Sequence, residues 1–484
     1  MRADEVLDRA AARCRERQVR IPTFAQMRNP SLVPEVVRRG LRQVGLHDID
    51  PLNLFRITWK NEPVEKGGLF HTGNWVEFPK ALTGVDARII GLVGKWFPTG
   101  AHKVGAGFGC LVPRLVAGQF DPTAHKAVWP STGNFCRGGA FDCALLGCDA
   151  VAILPEEMSR ERFEWLRRLG AEVITTPGGE SNVKEIYDAC WEIRRTRPDC
   201  VIFNQFEEFG NAVWHYHVTG EAVDQIFRAV ARPGDRLAAF VAATGSGGTI
   251  AAGDFLHTHH PQLRTVAAEA LQCPTLLQCG YGEHRIEGIG DKHIPWILNV
   301  RSTDVVVAVD DAQCLALMRL FNEPEGHCFL AGEGVDAAWL PQLALLGISG
   351  ICNLVASIKT ARMFELSSHD VLFTCLTDSM DLYHSRVHEQ REAQGPYSSM
   401  LAARNFARHL QAISTDSMRE LSYADRKALH HLKYFTWVEQ QQKSARDLDR
   451  LWDPEFWDQT YRQVDEWDRA IVAFNQRVGL DRGA

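Results

Sequence analysis

The sequence predicts an α/β fold built on mostly parallel sheets. At 484 residues the chain is longer than one typical hydrophobic core requires, so two or three domains are expected. From about residue 87 to 374, short apolar or β-branched runs alternate with amphipathic stretches. These runs are continuously apolar, which is typical of parallel strands that are buried on both faces and joined by helices.

Eight runs are predicted strands, and amphipathic stretches separate them. In chain order they span 127–129, 150–154, 172–176, 201–203, 236–243, 265–268, 305–309 and 371–375. Helices are predicted over about 156–169 and 181–194, between successive strands. This strand–helix alternation indicates crossover connections of the kind that parallel sheets need.

Two extensions flank this α/β region. Residues 1–85 show a helical opening followed by a loop-rich segment, and the strand signal stops after about residue 385. The tail from 398 to 481 reads as helical and carries a dense group of aromatic residues: Tyr434, Trp437, Trp452, Phe456 and Trp457. Aromatic residues on an amphipathic helix are usually buried. We therefore expect an N-terminal extension (1–85), a catalytic core (86–390) and a C-terminal extension (391–484) that covers the core or forms a dimer contact.

Charge and composition exclude several functional classes. The formal net charge of −7, with basic residues scattered among acids, argues against a nucleic-acid or anionic-membrane partner. The longest apolar region, 343–358, is interrupted by glycines and polar residues, so no membrane span is expected. The acidic N-terminus does not resemble a targeting segment, and a cytoplasmic location is expected. The thirteen cysteines form no CxxC pair, so they are interpreted as buried apolar residues and no metal site is expected.

Three polar loops carry the candidate chemistry, and the second and third directly follow predicted strands. The first, Pro98–Lys103, places a lysine behind a Gly/Thr turn at the start of a helix. Partial desolvation there would lower the lysine pKa toward the range in which a Schiff base forms. The second, Ser131–Asn134, offers hydroxyls and amides at a helix N-terminus, which suits a carboxylate. The third, Gly245–Thr249, is a glycine-rich strand-to-helix loop that suits a phosphate but lacks the Gly-Lys-Ser/Thr of a P-loop.

Together these loops resemble the β family of pyridoxal-phosphate enzymes (fold type II), which includes cysteine synthase, cystathionine β-synthase, tryptophan synthase β and threonine dehydratase. The lysine motif Thr99–Lys103 looks like the tryptophan synthase β form. The other marks look like cysteine synthase and occur in the family's order: 131–134, 204–206 with Asn211, 217–221, 245–249, 287–290, 347–350 and 377–379. The resemblance implies a two-domain catalytic core whose small subdomain, about 97–208, is inserted in the larger one.

The resemblance also implies roles for individual residues. Lys103 would carry pyridoxal phosphate and then move the substrate's α-proton. The phosphate would be held by Gly245, Ser246, Gly247, Gly248 and Thr249. Asn134 would bond the ring 3′-oxygen, and the substrate carboxylate would be bound by Ser131, Thr132 and Gln205. Ser379 would meet the ring nitrogen, with Thr377 as the alternative; a hydroxyl there leaves the ring weakly electron-withdrawing, which suits elimination of a β-substituent.

One departure from the family lies beside the second loop. Phe135 stands where cysteine synthases usually have a carboxylate-binding threonine, and Arg137 follows two residues later. Arg137 is predicted either to supply the missing contact to the substrate carboxylate or to recognise a second acidic group. The alternative is that Phe135 packs in the core and Arg137 points to solvent.

The resemblance implies β-replacement or β-elimination on serine, O-acetylserine, cysteine or a related amino acid. The alternative enzyme is a serine/threonine dehydratase or cysteine desulfhydrase that releases ammonia and a keto acid. A different class would be a catalytically inactive homologue that acts as a scaffold, but the lysine, the phosphate loop and the asparagine all argue against it. The expected partners are a small amino-acid substrate and a second copy of the chain in a homodimer.

Overall fold

The structure, a computed structural model, describes residues 3–480 and contains two sheets. The strands are β1 (Trp75–Phe78), β2 (Arg88–Val93), β3 (Lys126–Pro130), β4 (Asp149–Pro155), β5 (Glu172–Thr176), β6 (Cys200–Ile202), β7 (Arg236–Ala243), β8 (Arg264–Ala270), β9 (Val305–Val309), β10 (Asp370–Leu376) and β11 (Met418–Glu420). All eight predicted strands are present, which confirms the α/β fold class.

Helices connect the strands and form both extensions. They are α1 (Ala3–Glu16), α2 (Phe24–Arg28), α3 (Glu35–Leu41), α4 (Lys80–Thr83), α5 (Lys103–Val116), α6 (Asn134–Leu146), α7 (Arg160–Arg168), α8 (Val183–Thr196), α9 (Phe209–Trp214), α10 (Gly220–Val230), α11 (Ala251–His259), α12 (Thr275–Gln278), α13 (Asp311–Asn322), α14 (Pro324–Gly332), α15 (Ile348–Met363), α16 (His384–Gln394), α17 (Ser399–Phe406), α18 (Tyr423–Lys433), α19 (Ala445–Arg450) and α20 (Pro454–Val478). Helix α7 begins four residues later than predicted, because the backbone N–H of Glu156 still donates to the carbonyl of Thr176 beyond the end of β4. No helix within residues 3–480 is long and apolar enough to cross a membrane.

The larger sheet has the order β1-β2-β10-β7-β8-β9-β11. Its five central strands are parallel, and the two edge strands β1 and β11 pair antiparallel with β2 and β9. Strand β11 was not expected, since the tail was predicted to be helical throughout. Both extensions thus supply an edge strand to this sheet, and the domain boundaries near 85 and 390 stay a prediction.

The smaller sheet is wholly parallel, with the order β5-β4-β3-β6, and all its strands lie between residues 126 and 202. Alternate residues of the larger sheet's central strands enter two different cores: Phe240 and Ala242 join one, while Ala239 and Val241 join the other. Burial on both faces explains why these strands read as continuous apolar runs in the sequence.

The C-terminal helix α20 closes over the core together with the N-terminal helix α1. Arg15 donates from Nε to the carbonyl of Val478 at 2.7 Å, and Asn475 exchanges hydrogen bonds with the backbone of Ile21 at 3.0 and 2.8 Å. Some aromatic residues of the tail are buried and others face solvent: Trp437 and Trp457 are buried, whereas Phe435 is 60% exposed. The tail is therefore a cover over the core for much of its length.

Candidate active site

A narrow enclosed cavity of about 20 Å³ lies where the three predicted loops approach one another. It is lined by His102, Lys103, Asn134, Ala243, Gly245, Ser246, Gly247, Thr249, Gly288, Ile289 and Thr377. Six of these are among the residues predicted for the site: Lys103, Asn134, Gly245, Ser246, Gly247 and Thr249. The second loop follows β3 of the smaller sheet, whereas the first and third follow β2 and β7 of the larger sheet. The carboxyl ends of parallel strands from both sheets therefore meet at this cavity.

Lys103 is the first residue of α5, and its amine points toward the glycine-rich loop. Nζ donates to Ser246 Oγ at 3.0 Å and to Gln205 Oε1 at 3.3 Å. Desolvation by burial lowers the pKa of Lys103 to about 8. The preceding turn contains Thr99 with φ +70°, a left-handed conformation that non-glycine residues adopt only when their surroundings require it.

The glycine-rich loop runs from the end of β7 to the start of α11. Gly247 has φ +77°, and a Cβ added there would lie 2.9 Å from the Cβ of Leu298. A Cβ at Gly248 would lie 2.1 Å from Asn211 Oδ1, so the loop has no room for larger residues at these positions. Asn211 in turn donates from Nδ2 to Ser246 Oγ at 2.9 Å. The backbone at such a helix start is free to approach an anion.

His102 also lines the cavity, although its side chain was not among the predicted site residues. Its ring Nδ1 lies 3.2 Å from the carbonyl oxygen of Thr377, which can only accept, so Nδ1 carries the proton. Nε2, 3.4 Å from Thr249 Oγ1, then accepts from that hydroxyl. Burial lowers the pKa of His102 to about 3, which keeps the ring neutral. The signal in the sequence that could have identified His102 is its position directly before Lys103.

The loop predicted to bind a carboxylate lies next to the cavity, but its first two residues are not among the lining residues. Ser131 Oγ accepts from the backbone N–H of Gly133 at 3.0 Å and so shapes the loop. The carbonyl of Thr132 accepts from Arg162 Nη1 at 3.2 Å. Gln205 reaches the site through its bond to Lys103.

A buried chain of charged groups lies behind this loop. Asn134 Nδ2 donates to Asp378 Oδ2 at 2.6 Å, and the Tyr383 hydroxyl donates to the same oxygen at 2.7 Å. Arg162 donates from Nη2 to Tyr383 Oη at 3.0 Å and pairs with Glu287 Oε2 at 2.6 Å. Burial raises the pKa of Asp378, and the two nearby arginines oppose this shift. Sequence reasoning missed these partners because they come from distant segments.

Arg137 lies inside the fold, in contact with two of the loops that form the cavity. The side chain is fully buried, which excludes the solvent-facing alternative, and it is not on the cavity wall. Nη1 donates to Asn134 Oδ1 at 2.7 Å and Nη2 donates to the Thr99 carbonyl at 2.5 Å. Phe135 packs edge-on against Trp129 in the core, with ring centroids 5.3 Å apart. The guanidinium thus contacts the site's own loops, and its predicted contact with the substrate stays a prediction.

Ser379 does not line the cavity, and its contact with the ring nitrogen stays a prediction. Its hydroxyl accepts from the backbone N–H of Asp381 at 3.4 Å and begins a short 3₁₀ turn. Thr377, the alternative, does line it. The Thr377 hydroxyl lies 2.6 Å from that of Ser349, a residue of the sequence run 347–350 that had no assigned role. At Ser379, two residues after Thr377, the chain has already entered the 3₁₀ turn and no longer lines the cavity.

Comparison with known proteins gives an independent view of the chain. The family model described as pyridoxal-phosphate dependent enzyme matches residues 97–338. A cysteine synthase from Staphylococcus aureus is 31% identical over 271 residues, covering 55% of this chain and 78% of the relative. A probable cysteine synthase from Bacillus subtilis is 29% identical over 281 residues (58% and 82%), and a cystathionine beta-synthase from Saccharomyces cerevisiae is 26% identical over 316 residues (63% and 59%).

Solved structures share the fold. An O-acetylserine dependent cystathionine beta-synthase from Helicobacter pylori superimposes with a TM-score of 0.54 at 24% identity, covering 64% of this chain and 94% of that one. A hydrogen sulfide-producing enzyme from Fusobacterium nucleatum gives a TM-score of 0.54 at 20% identity, with 64% and 96% covered. About a third of this chain lies outside these superpositions.

Proposed function

Because the chain belongs to the family of pyridoxal-phosphate dependent enzymes, we propose that it catalyses β-replacement or β-elimination on serine, O-acetylserine, cysteine or a related amino acid. Its similarity to cysteine synthases and to a cystathionine beta-synthase supports this reaction class. The observation that carries the proposal is the Lys103 amine, whose pKa is lowered to about 8 and which lies 3.0 Å from Ser246 in the glycine-rich loop.

The residues present fit pyridoxal phosphate. The loop Gly245–Thr249 would hold the phosphate, since its glycines leave the backbone accessible and its N–H groups gather at a helix start. Lys103 would be the covalent attachment, and Asn134 would donate to the ring 3′-oxygen.

We assign the ring nitrogen to the hydroxyl pair Thr377 and Ser349. Thr377 is on the cavity wall and the two hydroxyls are 2.6 Å apart, whereas Ser379 is engaged at its 3₁₀ turn. A neutral hydroxyl partner leaves the ring nitrogen largely unprotonated. This favours rapid loss of a β-substituent over reactions that need a long-lived carbanion.

Different residues of the chain carry out the separate steps of the reaction. When bound, pyridoxal phosphate supplies an electron-withdrawing ring that stabilises negative charge at the substrate's α-carbon. Lys103 Nζ takes the α-proton and can return it, because a pKa of about 8 is close to neutral pH. Ser246 Oγ and Gln205 Oε1 accept hydrogen bonds from this amine and keep it in place. The start of α6, with Ser131 and Thr132 before it, binds the substrate carboxylate.

The proposal also includes a cytoplasmic location and a homodimer. The thirteen cysteines, all within the described residues, form no disulfide, which is usual for a reducing compartment and supports a cytoplasmic location. A homodimer is proposed from the resemblance to the family. The small subdomain near 97–208 is supported by the separate four-stranded sheet.

The proposal is tested by reducing the purified holoenzyme with borohydride and mapping the labelled peptide. We expect the label on Lys103. Label on Lys95 or Lys126, or none, would contradict the assignment. A panel of β-substituted amino acids, with and without an added thiol, then separates the outcomes: a new thioether or cysteine indicates replacement, whereas keto acid and ammonia indicate elimination. No turnover of any member would refute the reaction class.

A further inference from the structure

The side-chain amide of Asn134 lies between a cation and a carboxylate. Its Oδ1 is 2.7 Å from Arg137 Nη1 and its Nδ2 is 2.6 Å from Asp378 Oδ2. A guanidinium can only donate hydrogen bonds, so the amide oxygen must face Arg137. The NH₂ group therefore faces Asp378, which accepts one of its two hydrogens. Because Asn134 also lines the cavity, the second N–H is the group available there.

Arg137 connects this amide to the lysine loop. Its other terminal nitrogen, Nη2, donates to the carbonyl of Thr99, four residues before Lys103. The planar guanidinium also stacks over the ring of Trp165, 5.2 Å from its centre. One rigid group thus spans Asn134 and Thr99, which a shorter or more flexible cation could not do in the same geometry.

Asp378 holds the opposite side of the amide and is itself held. Tyr383 donates its hydroxyl to the same carboxylate oxygen at 2.7 Å, and Arg162 supports Tyr383 from behind at 3.0 Å. Both Asp378 and Arg137 are fully buried, so neither hydrogen bond competes with bulk water. A charge-assisted hydrogen bond in such surroundings is strong and directional.

We propose that Arg137 and Asp378 are positioning residues that hold the Asn134 amide with an N–H toward the cofactor cavity, and that Arg137 also holds the lysine loop at Thr99. The inference rests on the proposed function, in which this N–H meets the ring 3′-oxygen. A donor there stabilises the anionic form of that oxygen, whereas a reversed amide would present its own oxygen and repel it. Without Arg137 the amide oxygen loses its donor, and Asp378 alone holds the amide.

The test uses the holoenzyme variants Arg137→Gln and Arg137→Lys, with Arg168→Gln as the matched control. Arg168 stacks on Trp165 at 5.3 Å, as Arg137 does, but it is exposed.

In Arg137→Gln we expect the visible cofactor band to titrate about one pH unit higher, the shift that losing one charge-assisted hydrogen bond produces. The turnover number kcat should fall about tenfold, with a smaller change in KM. Arg137→Lys, which keeps one contact, should recover part of both losses, and Arg168→Gln should match wild type.

A double variant distinguishes positioning from a general loss of packing. If Arg137 acts through Asn134, adding Arg137→Gln to Asn134→Ala should shift the band no further than Asn134→Ala alone. Additive shifts, or an unchanged band and kcat in Arg137→Gln, would overturn the inference. If Arg137→Gln does not fold, Arg137→Lys decides: a band and kcat equal to wild type overturn it. A wild-type band without β-chemistry on any amino acid would instead refute the proposed function.

Discussion

Two lysines in different regions of the molecule, Lys103 in the core and Lys433 in the C-terminal extension, both have a lowered pKa. Burial lowers it to about 8 for Lys103 and to about 7 for Lys433. Lys433 has no exposed surface, and its Nζ donates to the backbone carbonyls of Trp296 at 2.9 Å and Leu298 at 2.7 Å. Lys103 keeps some accessible surface, as expected for a side chain on a cavity wall, and donates to two side chains.

The comparison teaches that a lowered pKa does not by itself make a lysine catalytic. By pKa alone Lys433 would be the better nucleophile. Lys433, however, donates to the backbone carbonyls of a loop, and it does not line the cavity. A carbonyl compound could reach Lys103 in that cavity. The glycine-rich loop beside Lys103 supplies the anion site that brings a cofactor to the amine. The amine, the cavity and the anion site together define the candidate active site.

The largest expected effect separates the two lysines by activity. Lys103→Ala should lower kcat by about 10²- to 10⁴-fold, the usual contribution of a positioned acid–base group, and should abolish borohydride labelling. Lys433→Met should keep kcat close to wild type, because the cavity and its loops are retained. Steady-state kinetics of both folded variants check this. A folded Lys433→Met enzyme as inactive as Lys103→Ala would remove the distinction.

A second prediction concerns the pH dependence of cofactor attachment. Only the neutral amine attacks a carbonyl, so the rate at which apoenzyme combines with added pyridoxal phosphate should follow deprotonation of Lys103. With a pKa of about 8, the neutral fraction rises about tenfold between pH 7 and 9 and then levels off. An ordinary lysine would show about a hundredfold rise over the same span without a plateau.

Stopped-flow absorbance of the apoenzyme measures this profile, and Lys433→Met is the matched control. The variant should show the same profile as wild type, because the attacking amine is unchanged. A profile that keeps rising beyond pH 9 would show that Lys103 is not desolvated in the apoenzyme. A profile altered by Lys433→Met would show that the two regions are coupled.

The strands between residues 126 and 376 could be predicted from the sequence, whereas those nearer either end of the chain were not predicted. Strands β7 and β9 have the predicted residues, because a strand that is buried over most of its length is continuously apolar. Strand β5 lies at the edge of the smaller sheet and is partly exposed, and it also has the predicted residues because β-branched residues such as Val173 and Ile174 are typical of strands. The edge strands β1 and β11 were not predicted, and neither was β2, although all six of its residues are buried. Strands β1 and β11 are four and three residues long and lie at the two edges of the larger sheet, and strands this short leave little local pattern.

The candidate site shows the same division. The lysine and glycine-rich loops are local motifs, and their residues line one cavity. The buried contacts around Asn134 depend on segments far apart in sequence: Arg137 meets Thr99, and Asp378 meets Asn134 across 244 positions. A motif indicates which residue types the chemistry needs, whereas the direction of a buried arginine is decided by the acceptors that the folded chain brings to it.

The last prediction concerns stability and isolates Lys433. Its pKa of about 7 in the folded chain lies below the unfolded value of about 10.4, so the unfolded chain binds more protons between these pH values. Stability contributed by this group therefore rises with pH from about 7 to 10, by at most about 1.4 kcal/mol per pH unit. The neutral amine suits the site, since its two N–H groups match the two carbonyls that accept from it.

Urea unfolding of wild-type and Lys433→Met holoenzyme at pH 7, 8 and 9 should show wild type gaining stability relative to the variant as pH rises. In the holoenzyme the Lys103 amine is occupied by the cofactor in both proteins, so its contribution cancels. Parallel stabilities across this range would mean that Lys433 is not desolvated, and the comparison with Lys103 would then rest on geometry alone.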